Sequence, residues 1–161
     1  MRRCASRGCY CPVMRLHGDR QPAEPVYRRD GTRVLNSGSD NEVWSFGEEA
    51  YPILVKYLNR REELRPYVRS LMRQAHEAGT PLLRGMFYEF PEEDACALLQ
   101  DQYMFGSRYL VAPVMAPGQR EREVYLPAGQ WRSVDTGEVL EGARRVTVPA
   151  PLEVIPVFEK L

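Results

Sequence analysis

The stretch Asp101-Gln102-Tyr103-Met104-Phe105-Gly106-Ser107-Arg108-Tyr109-Leu110-Val111-Ala112-Pro113-Val114, followed by Val124-Tyr125-Leu126-Pro127-Ala128-Gly129-Gln130-Trp131, holds the point at which the chain changes character. Before it, Ala95, Leu98, Leu99 and Gln102 recur at helical spacing until Gly106 stops the run. After it, Tyr109–Met115, Glu121–Leu126, Trp131–Val134, Val139–Leu140, Arg145–Val148 and Val154–Phe158 are short β-prone runs separated by Pro or Gly turns. These predict an all-β meander. Asp135-Thr136-Gly137-Glu138 reads as a tight hairpin loop, because Gly137 takes the positive φ such loops need. Gly129-Gln130-Trp131 is expected to fix a turn and anchor the β core. The pattern therefore divides the chain near Ser107, into residues 1–107 and 108–161.

Working back toward the N-terminus, Pro91-Glu92-Glu93-Asp94 predicts a helix start with acids facing the positive end of the helix dipole. Leu82 to Phe90 is short, aromatic and apolar, and reads as a strand. Leu64, Tyr67, Val68, Leu71, Met72 and Ala75 follow the i, i+3, i+4, i+7 series of an amphipathic helix, which Gly79-Thr80-Pro81 ends with Gly79 in the left-handed cap. Pro66 marks either a kink or a first turn. Tyr51, Leu54, Val55 and Leu58 suggest an earlier helical face. Tyr10 to Leu16 reads as one buried strand, and the charged segment from Gly18 to Asp40 as a long loop. Strand, helix, strand, helix in order argues for part of a parallel α/β layer. The expected fold class is thus α/β followed by all-β.

Composition narrows the function classes. The 161 residues carry 22 basic and 22 acidic side chains for a formal net charge of zero, so no broad field recruits nucleic acid or anionic lipid. No run approaches the ~20 apolar residues that span a bilayer, and the charged start lacks the long apolar segment of a signal peptide. The expectation is a cytoplasmic protein with no membrane and no nucleic-acid partner. Three of the four cysteines, Cys4, Cys9 and Cys11, crowd the start while Cys96 stands alone, which suits reduced thiols better than a disulfide framework. Cys4, Cys9, Cys11 and His17 offer four ligands for zinc, yet lack paired Cys-x-x-Cys knuckles. Small apolar residues on or near a strand fit Cys9 and Cys11 better, so no metal and no cofactor are expected. There is no phosphate-binding glycine loop, His-Glu-x-x-His helix or serine elbow.

Several motifs taken in order resemble glycoside hydrolase family 31, over about residue 9 to the end. Cys11-Pro12-Val13-Met14-Arg15-Leu16-His17-Gly18 is similar to the family's strand ending in Arg-x-His-Gly, and Glu42-Val43-Trp44-Ser45-Phe46-Gly47 to its Glu-Pro-Trp-x-Phe-Gly element, with Val43 in place of proline. Leu64-Arg65-Pro66-Tyr67 matches the Leu-x-Pro-Tyr helix. Gly79-Thr80-Pro81-Leu82-Leu83-Arg84 matches the Gly-x-Pro-x-x-Arg approach to the last barrel strand, with Gly85 where proline is usual. The opening stretch quoted above is similar to the barrel end and the start of the proximal β domain.

The resemblance implies a C-terminal fragment, with the last strand–helix units of a (β/α)8 TIM barrel in 1–107 and a proximal C-terminal β-sandwich-like domain in 108–161. Met1–Gly8 then looks like eroded barrel sequence, and the end at Leu161 falls where relatives continue. The family implies a retaining α-glycosidase of carbohydrate metabolism, in which one carboxyl attacks the anomeric carbon and a second protonates the leaving oxygen. Both family aspartates precede the Arg-x-His-Gly strand, so the catalytic set from this chain is empty and inactivity alone is expected. His17 carries over as the residue that hydrogen-bonds sugar hydroxyls at the C-terminal mouth of a barrel strand. Arg15, two residues earlier on the same side, either braces that site or pairs with an acid. The implied substrate is an α-linked sugar, and the implied partner is the missing barrel portion or a second copy. An alternative is a stand-alone interaction module that packs against a separately encoded barrel portion.

Three other groups have plainer readings. His76 is expected near an exposed helix C-terminus, interacting with the dipole. Glu92, Glu93 and Asp94 are explained by N-terminal helix charge. Trp44, Tyr103 and Trp131 have flat faces that suit pyranose rings, and their family counterparts are mainly packing residues.

Overall fold

A computed structural model describes residues 8–15, 26–34 and 42–161. A six-stranded antiparallel sheet organises them. In chain order its members are β3 (Leu83–Gly85), β4 (Tyr103–Phe105), β5 (Tyr109–Val111), β7 (Gln130–Ser133), β8 (Val139–Glu141) and β10 (Val157–Lys160), with spatial order β3-β4-β5-β10-β7-β8. β6 (Glu121–Leu126) and β9 (Arg144–Pro149) form a separate antiparallel ribbon, registered from Glu121 opposite Pro149 to Leu126 opposite Arg144.

Alternation along the strands sends side chains to opposite faces. Met104, Leu110, Ala112, Trp131 and Phe158 meet Val124 and Leu126 of the ribbon, with Met86 and Cys96 closing the same core. From the same strands, Phe105, Tyr109, Val111 and Val157 point the other way and meet two helices, α1 (Tyr51–Glu63) and α2 (Arg65–Ala78), through Ile53, Tyr57, Leu64, Val68 and Leu71. Three layers result: helices, sheet and ribbon. Tyr109, Leu110 and Val111 are all buried because β5 is covered on both sides.

The helical readings hold for α2. Leu64, Val68 and Leu71 are buried, Tyr67 and Ala75 pack on the same core, and only Met72 of the stripe is exposed. Pro66 lies in the first turn, so the chain makes two helices with Leu64 between them, and Gly79 caps α2 at φ 66°. In α1 the buried residues are Ile53, Leu54 and Tyr57, so the face is rotated from Tyr51, Leu54, Val55 and Leu58, and Tyr51 is exposed. Gly137 turns the β7–β8 hairpin at φ 75°.

Several expectations need correction. The parallel α/β layer is absent among the described residues, because every pair, including β3 with β4, is antiparallel. Leu82–Phe90 is a strand only to Gly85. It then turns through α3 (Met86–Glu89) and α4 (Asp94–Ala97), each one turn long, which return the chain against β3. The helix expected to run on to Gly106 therefore ends early, and Tyr103–Phe105 is strand β4. Gly106 at φ 61° makes the turn into β5, so the pattern change near Ser107 falls between neighbouring strands of one sheet. Within the loop expected from Gly18 to Asp40, β1 (Val26–Tyr27) and β2 (Arg33–Val34) form a hairpin around Asp30-Gly31, where Asp30 accepts from the Thr32 amide at 2.9 Å. No helix of the described residues is long and apolar enough to cross a membrane.

Candidate functional site

Residues 8–15 lead toward the Arg-x-His-Gly motif, and they do not form the strand the apolar run suggested. A helical end at Gly8–Cys9 passes through a turn to Pro12, and residues 13–15 follow with no ladder partner among the described residues. Cys9 and Tyr10 are fully buried in the helix-side core, while Val13 and Arg15 face outward. Without a ladder the backbone carbonyls need other donors.

Two side chains supply those donors. Arg61 of α1 sends Nη1 to the carbonyls of Cys9 at 2.9 Å and Cys11 at 2.6 Å, and Nη2 to that of Pro12 at 2.9 Å. Tyr103 of β4 donates its hydroxyl to the carbonyl of Tyr10 at 3.2 Å. Four consecutive carbonyls are thus satisfied by one guanidinium and one phenol. The rigid fork of arginine suits this task, since its fixed donors reach several acceptors from one anchored group. Arg60 adds a contact from Nε to the Tyr10 hydroxyl at 3.3 Å.

Burial sets the protonation of this region. It pushes the Cys9 thiol up to about 12 against the opposing pull of Arg61, and the Tyr10 phenol up to about 12 against the hydrogen bond from Arg60. Both stay protonated at neutral pH and neither offers a nucleophile. Beside them, a cavity of about 250 Å³ opens between α1 and the β7–β8 loop, floored by Tyr57, Val134, Ile155 and Val157. Its charged rim is internally paired, Lys56 with Asp135 at 3.5 Å and Arg60 with Glu63 at 2.8 Å.

The sequence-derived candidates fare unevenly. Arg15 is exposed at the end of the described segment; His17 lies outside the described residues, as does Cys4. The zinc alternative thus keeps two ligands in view, of which Cys9 is a core residue. His76 lies exposed in the last turn of α2, as expected. Glu93 does more than face a helix dipole: its carboxylate accepts from the Tyr125 hydroxyl and the Ala128 amide, both at 2.8 Å, and so ties α4 to the β6–β7 turn. Trp131 is fully buried with its indole N–H on the Pro127 carbonyl at 2.7 Å, a packing residue as read. Trp44, in the 3-10 turn Val43–Phe46, is 69% exposed, so among the described residues it does not pack.

Sequence reasoning gave no role to Arg61, Arg84 or Arg122, of which Arg84 entered only as the end of the Gly-x-Pro-x-x-Arg motif. Arg61 continues the Leu54, Tyr57, Leu64 series at i, i+3, i+7 and i+10, and a charge in mid-stripe was the available signal. Arg84 is buried against Glu89 at 2.6 Å and also donates to the Pro81 carbonyl. Arg122 is buried with donors on the carbonyls of Pro113, Glu123 and Asp101, and bridges the ribbon to the sheet.

Helices docked on an antiparallel sheet that also carries a ribbon define a mixed helix and antiparallel-sheet fold. Residues 79–160 match the model of the glycosyl hydrolase family 31 C-terminal domain. The chain belongs to glycosyl hydrolase family 31. It is 39% identical over 119 residues to alpha-glucosidase 2 of Bacillus thermoamyloliquefaciens, covering 74% of this chain and 15% of that protein. It is 33% identical over 150 residues to the alpha-xylosidase of Saccharolobus solfataricus, covering 92% and 18%. The crystal structure of a GH31 alpha-xylosidase from a soil metagenome, complexed with xylose, superposes with a TM-score of 0.92 at 45% identity, over 99% of this chain and 24% of that one. The chain thus spans less than a fifth of either curated relative.

Proposed function

We propose that this chain is the closing section of a retaining α-glycosidase that cleaves O-glycosyl bonds of α-linked sugars. Residues to about 78 would form the end of the catalytic barrel, and the sheet and ribbon from residue 79 a proximal β-sandwich-like domain. Arg15 and His17 would contact the sugar at the barrel mouth, while the two carboxyls of the reaction come from sequence this chain does not contain. Alone it has neither nucleophile nor proton donor and turns nothing over. The single observation that carries this reading is the 0.92 superposition of nearly the whole chain on a xylose-bound family member. Exposed apolar side chains such as Phe87, Leu98 and Val13 support its association with the remainder of a barrel.

Two assays test it. The purified 161-residue chain is offered 4-nitrophenyl α-xyloside and α-glucoside, and turnover by it would refute inactivity. A joined enzyme, in which residues 8–161 replace the corresponding quarter of the soil-metagenome xylosidase, is expected to hydrolyse the xyloside. His17→Ala there should lower kcat/KM at least about tenfold, the effect of losing one to two hydrogen bonds to the sugar. Unchanged kcat/KM would remove His17 from the site.

A further inference from the structure

We propose that Arg61 and Tyr103 form a two-sided clamp that sets the course of residues 9–15, so that one donor from the barrel end and one from the β domain together position Arg15. This rests on the functional reading above for what the segment contacts. The clamp itself stands on geometry within the described residues.

Four consecutive carbonyls, Cys9 to Pro12, accept from these two side chains, Arg61 taking three and Tyr103 the one between. The two donors come from opposite sides of the layer boundary, Arg61 from the helix α1 and Tyr103 from the sheet strand β4. Neither is loosely held. Tyr103 sits opposite Val111 and Gly85 in the sheet. The helix bearing Arg61 is fastened to the sheet layer one turn earlier by Tyr57, whose hydroxyl accepts from the Ile155 amide at 2.9 Å and donates to the Glu153 carbonyl at 3.1 Å. A turn whose carbonyls point at fixed donors has little freedom in direction, and Arg15, three positions further on, inherits that direction. Cys9 and Tyr10 are buried beneath the clamp, so they report on whether it is closed.

The full 161-residue chain supports a direct test. Pulsed alkylation with iodoacetamide, read peptide by peptide, should leave Cys9 and Cys96 protected in the natural chain. In Arg61→Ala, and more so in Arg61→Ala with Tyr103→Phe, Cys9 should label at least about tenfold faster while Cys96, in the opposite core, keeps its rate. Arg61→Lys, a single point of charge that cannot serve three carbonyls, should fall between. Cys9 labelling at the natural rate in the double variant would overturn the clamp. In the joined enzyme, assayed well below its melting temperature, Arg61→Ala and Tyr103→Phe should lower kcat/KM, and Arg61→Lys should recover part of the loss. Faster Cys9 labelling without any change in kcat/KM would overturn the positioning role. His17→Ala in the same enzyme separates the two ideas: if it has no effect, the site reading fails while the labelling result still decides the clamp.

Discussion

The two faces of the central sheet are built by different means. On the ribbon side, Met104, Leu110, Val124, Leu126, Trp131 and Phe158 fill a core with apolar volume, and the single indole N–H finds the Pro127 carbonyl. On the helix side the packing residues include tyrosines, and their hydroxyls join backbone groups of the opposing layer. Tyr67 donates to the Phe105 carbonyl at 3.0 Å and accepts from the Arg108 amide at 3.3 Å, while Tyr57 spans Glu153 and Ile155. Tyr10, Tyr67, Tyr109 and Phe105 also meet edge to face, with centroids 5.4 to 6.3 Å apart. In the ribbon face shape and area dominate the interior, with buried Arg122 and Gln102 adding bonds to the Pro113, Asp101 and Tyr125 backbone. The helix face resembles a fitted joint, where directional bonds fix how one layer sits on another.

The largest expected effect tests the first half of this contrast. Trp131→Ala removes the biggest fully buried side chain of the ribbon face and leaves the Pro127 carbonyl unpaired, which should cost about 3–5 kcal/mol in urea unfolding. A loss below about 1 kcal/mol would mean that the ribbon is not part of the cooperative core.

Alkaline pH should separate the faces. Cys9 and Tyr10 are held protonated up to about 12 by burial on the helix side, whereas the unfolded chain releases those protons near 9 and 10. The folded pKa values are raised, so their stabilisation is complete below about pH 9 and is lost as pH rises toward 12, at up to about 1.4 kcal/mol per pH unit for each group. Tyr57 and Tyr67 on the helix side are raised by burial as well, while on the ribbon side Cys96 is raised to about 11 by burial and Tyr125 to about 12 by its bond to Glu93. Hydrogen exchange at pH 8 and pH 10.5 should therefore show α1 and α2 loosening before β6 and β9. Simultaneous loss would indicate that the joint and the core unfold as one.

How much of this could be read from the amino-acid order follows the same divide. The β runs after Arg108 and the α2 stripe with its Gly79 cap were legible, because half-buried elements print their period on the sequence. β4 was not: Tyr103, Met104 and Phe105 are covered on both sides, so no alternation shows, and their neighbours happen to fall at helical spacing. The single-turn helices α3 and α4 are too short to carry a period. The β1–β2 hairpin had a signal in Asp30-Gly31, but its two-residue strands lie within a charged stretch. In the candidate site, Arg15 and His17 came from motif resemblance. Arg61 was not legible in the face suggested by Tyr51, Leu54, Val55 and Leu58, which does not include it, and it serves a segment 50 residues away.

Gly106→Ala probes the joint from the sheet side. The residue takes φ 61°, and an added Cβ would run into the Tyr67 hydroxyl and the Leu71 side chain. Left-handed backbone and overpacking together should cost about 2–4 kcal/mol. Exchange should quicken in α2 while the ribbon keeps its protection; uniform loss would argue against a separable joint.

Tyr67→Phe is smaller and cleaner. It keeps the ring against Phe105 and Tyr109 but removes the hydroxyl that joins the Phe105 carbonyl and the Arg108 amide, for an expected loss of about 1–2 kcal/mol. At the bottom of the scale lies Lys56→Ala. Lys56 reaches Asp135 at 3.5 Å and the Glu153 carbonyl at 3.3 Å, yet both charged partners are about half exposed. An exposed pair contributes about 0–1 kcal/mol because water and salt screen it. The melting point should scarcely move, and the small change should shrink further in 1 M salt. A drop matching that of Tyr67→Phe would show that the joint is held by charge at its rim, and the distinction drawn between the two faces would then rest on electrostatics instead of on buried hydroxyls.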